Sequence, residues 1–195
     1  MVDRAKVKLV GIYGSPRQGG NSDMLLDAAL NGAEEAGADV GRLYLRDLRF
    51  EPCVNCGACS SQGVCRVKDD MTQVYDALDN SDVIMLGAPI YFASLCAQVK
   101  AMIDRCQPYW AREHVLKMKP PRAGRTGGFV CCCGFRDDRF LACTEQVVKT
   151  WYFVLHMEYR GSFFVPRLDA LGAAKRHPTA TEDAFKYGKR LASGQ

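Results

Sequence analysis

An open, doubly wound α/β sheet of five parallel strands in the order 2-1-3-4-5 is the fold this sequence predicts, and three observations predict it. Strand-like and helix-like stretches alternate along all 195 residues. The strand-like stretches are continuous apolar runs, such as Val83-Ile-Met-Leu-Gly-Ala88, as expected of strands buried on both faces. No repeat or linker interrupts the alternation, so residues 1–195 read as a single domain. Right-handed crossovers then put the ligand at the strand C-terminal ends, where the order switches between strands one and three.

Lys6 to Tyr13, Lys-Val-Lys-Leu-Val-Gly-Ile-Tyr, is the first strand. It runs into Gly14-Ser-Pro-Arg-Gln-Gly-Gly-Asn-Ser22 and then a helix with Leu25, Leu26, Ala29, Leu30, Ala33 and Ala36 on one face, closed by Gly37. A glycine-rich loop feeding a helix N-terminus exposes backbone N–H groups at the positive end of the helix dipole, which suits a phosphate. Ser15, Arg17, Asn21 and Ser22 add side-chain donors. The loop matches neither G-x-G-x-x-G nor G-x-x-x-x-G-K-[ST], so it points to a terminal monophosphate. An ordinary capped turn is the plainer alternative.

Asp39 to Leu45 is the second strand. After Glu51-Pro52 comes Cys53-Val-Asn-Cys-Gly-Ala-Cys-Ser-Ser-Gln-Gly-Val-Cys65, a C-x2-C-x2-C-x5-C run in which Gly57 and Gly63 let the loop fold back on itself. Its first three positions share the spacing of bacterial ferredoxins, and only the last gap is wider. Cys53, Cys56, Cys59 and Cys65 are therefore candidate ligands of an iron-sulfur cluster. A four-cysteine zinc site, a redox disulfide and four unligated thiols are the other readings, although zinc sites usually divide their ligands between two separated pairs.

Asp69 or Asp70 caps a helix with Met71, Val74, Tyr75 and Leu78 on one face. Val83 to Ala88 is the third strand, succeeded by Pro89-Ile-Tyr-Phe92, an apolar edge suited to a planar heterocycle or to plugging the sheet end. Val99, Met102, Ile103 and Cys106 keep helical spacing, so Cys106, like Cys96, reads as a small core residue. Gln107 to Gly124 reads as a long surface excursion. Thr126 to Cys133 is the fourth strand, and Cys131-Cys-Cys133 points to alternate faces, so the three thiols do not readily share one ion and read as buried packing. The polar loop Gly134 to Arg139, a helix with Phe140, Thr144, Val147, Trp151 and Val154, and the strand Glu158 to Val165 follow. Pro178-Thr179 with Glu182 predicts a capping box on the last helix. His114, His156 and His177 have no ligand spacing.

With 48% hydrophobic and 25% charged residues the chain has the composition of a globular domain with a full core. No apolar run approaches the roughly 18 residues of a membrane span, and Met1-Val-Asp-Arg-Ala-Lys6 lacks the apolar core of a signal peptide. A cytoplasmic location is expected, where ten cysteines favour metal or redox chemistry over structural disulfides. A net charge of +4 with no basic, aromatic-interleaved patch sets nucleic acid aside. A monophosphate cradle beside an aromatic edge, at the ends of strands one and three, favours FMN.

Gly14-Ser-Pro-Arg17 with Asn21-Ser22, the cysteine run continuing into Lys68-Asp-Asp-Met71, Gly87-Ala-Pro-Ile-Tyr-Phe92 and Lys100 to Arg105 together resemble the iron-sulfur flavoproteins. These lie within the flavodoxin-like NAD(P)H-dependent FMN reductases. The resemblance covers about the first hundred residues in motifs and the rest in element order. It implies a flavodoxin-like fold, non-covalent FMN, a [4Fe-4S] cluster on Cys53, Cys56, Cys59 and Cys65, and a homodimer or homotetramer. Ser15, Arg17, Asn21 and Ser22 would hold the phosphate, and Pro89, Ile90, Tyr91 and Phe92 would line the ring. In the third flavin loop relatives carry small residues and glycines, whereas this chain has Cys133-Gly-Phe-Arg136. The expected activity is an FMN oxidoreductase relaying electrons from a ferredoxin-like donor or NAD(P)H to a small-molecule acceptor. A cluster-free NAD(P)H-dependent FMN or quinone reductase is one alternative. A non-enzymatic carrier or redox sensor is the other, and the positive net charge argues against it.

Overall fold

A computed structural model describes residues 6–120, 122–136 and 139–194. The N-terminal residues 1–5, and Asp137 and Asp138 of the loop after the fourth parallel strand, lie outside the described residues. The elements are β1 (Lys8–Tyr13), α1 (Asn21–Glu35), β2 (Asp39–Tyr44), α2 (Cys59–Gln62), α3 (Met71–Asn80), β3 (Val83–Tyr91) and β4 (Ser94–Leu95). Then come α4 (Ala97–Asp104), α5 (Gln107–His114), β5 (Thr126–Cys132), α6 (Arg139–Val154), β6 (Glu158–Val165), α7 (Ala173–Arg176) and α8 (Ala180–Ser193). The parallel strands run β2-β1-β3-β5-β6, which is the expected 2-1-3-4-5 once the short antiparallel β4 on β3 is set aside.

Alternation along each strand builds two cores. Val10, Ile12, Ile84, Leu86, Phe129 and Cys131 face α3, α4 and α6, where Val74, Leu78, Val99, Met102, Val148 and Trp151 meet them. Leu9, Tyr13, Met85, Val130 and Cys132 face the opposite way, onto α1 and α8. The three consecutive cysteines divide as their register requires, Cys131 and Cys133 to the first core and Cys132 to the second. Cys106 is a core residue too, and its sulfur accepts from Trp151 Nε1 at 3.3 Å.

On the second face α1 and α8 lie backbone to backbone. A Cβ on Gly188 would sit 1.8 Å from the Ala29 carbonyl oxygen, and one on Gly32 2.0 Å from that of Phe185. Gly188→Ala must therefore push the helices apart. It is expected to lower the unfolding free energy by about 1–3 kcal/mol, read as a lower urea midpoint at unchanged slope.

Local reading and structure differ at three places. The supposed surface excursion begins with a helix, α5, because Pro108 occupies its first turn and Tyr109 and Ala111 find buried sites. The third strand continues three residues past Ala88, since Pro89 keeps its register with Cys132 and Ile90 pairs with Leu95. The capping box on α8 is replaced by His177, whose Nδ1 accepts from the N–H groups of Ala180 at 3.1 Å and Thr179 at 3.3 Å. His114 and His156 meet at Glu113, their Nε2 atoms 3.5 and 3.3 Å from its Oε2. Arg125, 4% exposed, donates to the carbonyls of Leu78, Ser81 and Leu155 and so satisfies chain ends under the sheet.

Candidate functional site

The loop after β1 begins where Gly14 N–H meets the carbonyl of Gly87 at 2.7 Å, locking it to β3. From below, the buried Cys96 thiol donates to Gly14 O at 2.9 Å; burial pushes this thiol up to about 11, so it stays protonated and able to donate. Ser15 Oγ accepts from Arg17 N–H at 3.1 Å, tightening the turn. The residue preceding α1 is Gly20, which offers no side-chain cap. The first intrahelical bond runs from Met24 N–H to the Gly20 carbonyl at 3.0 Å, so the helix leaves the N–H groups of Asn21, Ser22 and Asp23 to an outside partner. Ser22 is buried as a residue, but its hydroxyl keeps some open surface and makes no protein hydrogen bond among the described residues, and Arg17 stands exposed at the rim. These groups form an anion cradle at the positive end of a helix.

Asn21 serves this cradle differently from what its residue type suggested. Its amide donates to the carbonyls of Leu168 at 3.3 Å and Ala170 at 2.9 Å, and its Oδ1 accepts from Ala174 N–H at 3.1 Å. With its side chain committed to the segment after β6, only its backbone N–H remains for a ligand. Arg46 was missed by sequence reasoning. It donates to Asp23 Oδ2 at 2.8 Å, reaches Ser15 O at 3.5 Å and lies 4.6 Å above the Tyr44 ring. Burial raises the Asp23 carboxyl, Arg46 opposes that shift, and the pair braces the loop from the β2 side.

The cradle opens into a cleft of about 550 Å³ at the C-terminal ends of β1, β3 and β5, within the usual range for ligand pockets. Pro89, Ile90, Tyr91 and Phe92 form one wall. Phe92 and Ala93 turn the β3–β4 hairpin with φ of +49° and +58°, the two-residue geometry usually given to Asn-Gly. Each such residue costs about 1–3 kcal/mol, and the result is a phenylalanine fully exposed at the cleft mouth. The opposite wall comes from Cys133 and Phe135, in the loop that the resemblance makes the third flavin loop, and from Phe140, read from the sequence only as a helix-face residue; Phe135 and Phe140 pack with centroids 5.1 Å apart. The cleft thus joins an anion site to an apolar slot.

The cysteine loop leaves the same edge of the sheet. Asn55, Gly57 and Gly63 adopt positive φ and fold it back, and Arg112 Nε holds Gly63 O at 2.7 Å. Cys53, Cys56, Cys59 and Cys65 are free thiols that line one cavity of about 100 Å³. Burial raises the Cys59 thiol, and the other three cysteines are close enough to add to that shift. As the side chains stand, no three His, Cys, Asp or Glu among the described residues are arranged to hold a metal. The donor set, four thiols on one small cavity, is nonetheless that of a soft metal centre.

A clamp closes the base of this loop. Arg105 grips Asp69 end-on through Nη1 and Nη2 at 2.7 and 2.9 Å and donates from Nη1 to Glu51 O at 2.7 Å. Asp69 also accepts from Glu51 and Met71 N–H. Burial works to raise the Asp69 carboxyl, but the Arg105 and backbone donors win and hold it below the ordinary 3.8. A depressed native pKa contributes stability that is complete above the ordinary value and disappears as pH falls through the native one. Asp69→Asn is thus expected to cost about 1.5–3 kcal/mol at neutral pH and little once pH is well below 3.8. Urea unfolding of parent and variant at both pH values checks this; an equal gap at both refutes it.

The sequence profile of the NADPH-dependent FMN reductase family matches residues 7–166. An iron-sulfur flavoprotein of Archaeoglobus fulgidus is 34% identical over 150 residues, which are 76% of this chain and 65% of that protein. Another from Methanocaldococcus jannaschii is 37% identical over 150 residues, 77% of this chain and 73% of that one. The chain thus spans about two thirds to three quarters of these relatives. Among solved structures, an NAD(P)H:quinone oxidoreductase from Methanothermobacter marburgensis has the same fold, with a TM-score of 0.73 over 96% of this chain and 98% of that one at 13% identity. A profile covering most of the chain, and relatives that agree with it, leave one conclusion: this chain belongs to the NADPH-dependent FMN reductase family and stands among its iron-sulfur flavoproteins.

Proposed function

We propose that this chain is an FMN-dependent oxidoreductase whose cysteine loop carries a [4Fe-4S] cluster, passing electrons from a ferredoxin-like donor or NAD(P)H to a small-molecule acceptor. The observation that carries the reading is the uncapped N-terminus of α1 opening into a cleft with aromatic walls. In this reading Ser15, Arg17, Ser22 and the Asn21 backbone hold the phosphate, and Pro89, Ile90, Tyr91 and Phe92 line the ring. Cys53, Cys56, Cys59 and Cys65 are the cluster thiolates. When bound, the flavin supplies both one- and two-electron chemistry. The chain supplies the anion cradle, the apolar slot and a second redox site on the same edge of the sheet. A homodimer or homotetramer is part of the proposal, and no helix among the described residues is long and apolar enough to cross a membrane.

A cluster-free NAD(P)H-dependent reductase is the second reading, favoured by thiols that are not arranged for ligation. Anaerobic purification followed by iron, sulfide and flavin analysis separates the two. Iron and sulfide in equal amount beside FMN is the expected result, and one zinc without iron ends the cluster reading. Because the cradle offers donors for one terminal phosphate, apoprotein should take up FMN far better than FAD. Arg17→Ala should weaken FMN by about 1.5–3 kcal/mol, the value of one charge-assisted bond. Equal affinity for the two flavins, measured by fluorescence titration, would remove the assignment of the cradle.

A further inference from the structure

Arg105 is 2% exposed and does not line the flavin cleft. Both of its Nη atoms are engaged by Asp69 and the Glu51 carbonyl. Its Nε–H is buried with no partner, one of two such side-chain atoms among the described residues. An unpaired N–H on a buried cation is expensive and calls for an acceptor. Asp69 binds the guanidinium end-on, so the Nε edge is held in a fixed orientation that the carboxylate does not occupy. The residue lines the cavity shared by the four loop cysteines. Asp69 hydrogen bonds push the Arg105 pKa up against burial, and Cys65 is near enough to add to the effect. No carbonyl, carboxylate or hydroxyl among the described residues takes the Nε–H, although Asn55, Ser60 and Gln107 also line the cavity, and the four cysteine sulfurs are the acceptors gathered there in greatest number.

We propose that Arg105 is a positioning residue of the thiol site. Its Nε–H donates to a sulfur of the loaded centre, while its Nη atoms tie together the two ends of the loop at Glu51 and Asp69. The proposal deepens the cluster reading above and rests on it. Hydrogen bonds to the sulfurs of such a centre stabilise its more negative, reduced form and raise its potential. Outer-shell donors of this kind typically change metal affinity by about 10–100-fold.

The experiment compares parent, Arg105→Gln, Arg105→Lys and Arg66→Gln after anaerobic reconstitution, with FMN content as the measure of folding. Arg66 lines the same cavity but is exposed, so it controls for charge alone. The cluster midpoint potential, followed by the electron paramagnetic resonance of the reduced centre, should fall in Arg105→Gln and stay at the parent value in Arg66→Gln. A potential unchanged in Arg105→Gln, or shifted as far by Arg66→Gln, overturns the proposal. If Arg105→Gln fails to hold FMN, Arg105→Lys is judged by the same criteria, since an ammonium keeps the charge but cannot both clamp and donate.

A parent that binds neither iron nor sulfide sinks the cluster reading instead, and Co²⁺ then decides the inference on the bare loop. Thiolate-to-cobalt absorption should show binding about tenfold weaker in Arg105→Gln than in the parent. Equal affinities, or no thiolate band in the parent, overturn it.

Discussion

Ser22→Asp is expected to abolish flavin binding while leaving the apoprotein at least as stable as the parent. Ser22 is 2% exposed, lines the cleft and occupies the first turn of α1. A carboxylate in the first turn of a helix complements the dipole and is favourable by about 0.3–1 kcal/mol. The same carboxylate would stand where the FMN phosphate is proposed to bind. At an effective dielectric constant of about 20, two unit charges about 4 Å apart repel by about 4 kcal/mol, which is roughly a thousandfold in affinity. Opposite effects on stability and binding separate a phosphate cradle from a plain helix start. Fluorescence titration with FMN and thermal unfolding of the apoprotein read the two. Affinity within tenfold of the parent would mean that the phosphate lies elsewhere.

Cys56→Ser is expected to remove nearly all iron and the broad visible absorption beyond the flavin bands, with FMN content unchanged. Serine is a far poorer ligand to iron than a thiolate, and Cys56 is the exposed member of the four, so its loss disturbs little packing. FMN should remain because the cysteine cavity and the cleft share no lining residue. The variant should keep any reduction by NAD(P)H and lose reduction by a one-electron protein donor, measured under anaerobic stopped flow. A variant reduced by that donor as fast as the parent would assign the loop a structural task.

The fold was legible because its signals are local. Continuous apolar strands and helices of regular spacing are properties of neighbours in the chain, and they sufficed for a three-layer sheet with the observed parallel order. Where local signals conflict with packing, reading failed. Residues 107–114 carry a proline and four charged or titratable side chains, yet Tyr109 reaches Asp79 with its hydroxyl and the segment folds as α5. The Phe92-Ala93 turn could not be foreseen, because neither residue prefers positive φ and the antiparallel pairing of Ile90 with Leu95 and of Tyr91 with Ser94 holds it there.

By itself the sequence determined which chemistry the chain can carry. A glycine-rich strand-to-helix loop, an aromatic edge after the third strand and four closely spaced thiols are covalent facts that tertiary structure cannot alter. Tertiary structure alone decided what each side chain does there. Asn21 turns its amide to carbonyls 147 and 149 residues away, and so leaves the cradle to the backbone and Ser22. Arg105 reaches Glu51 across 54 residues and leaves one N–H facing no acceptor in the described protein. The physical reason is that a hydrogen bond needs its partners within about 3 Å, and for residues so distant in the chain that proximity is created only by packing the helices on the sheet.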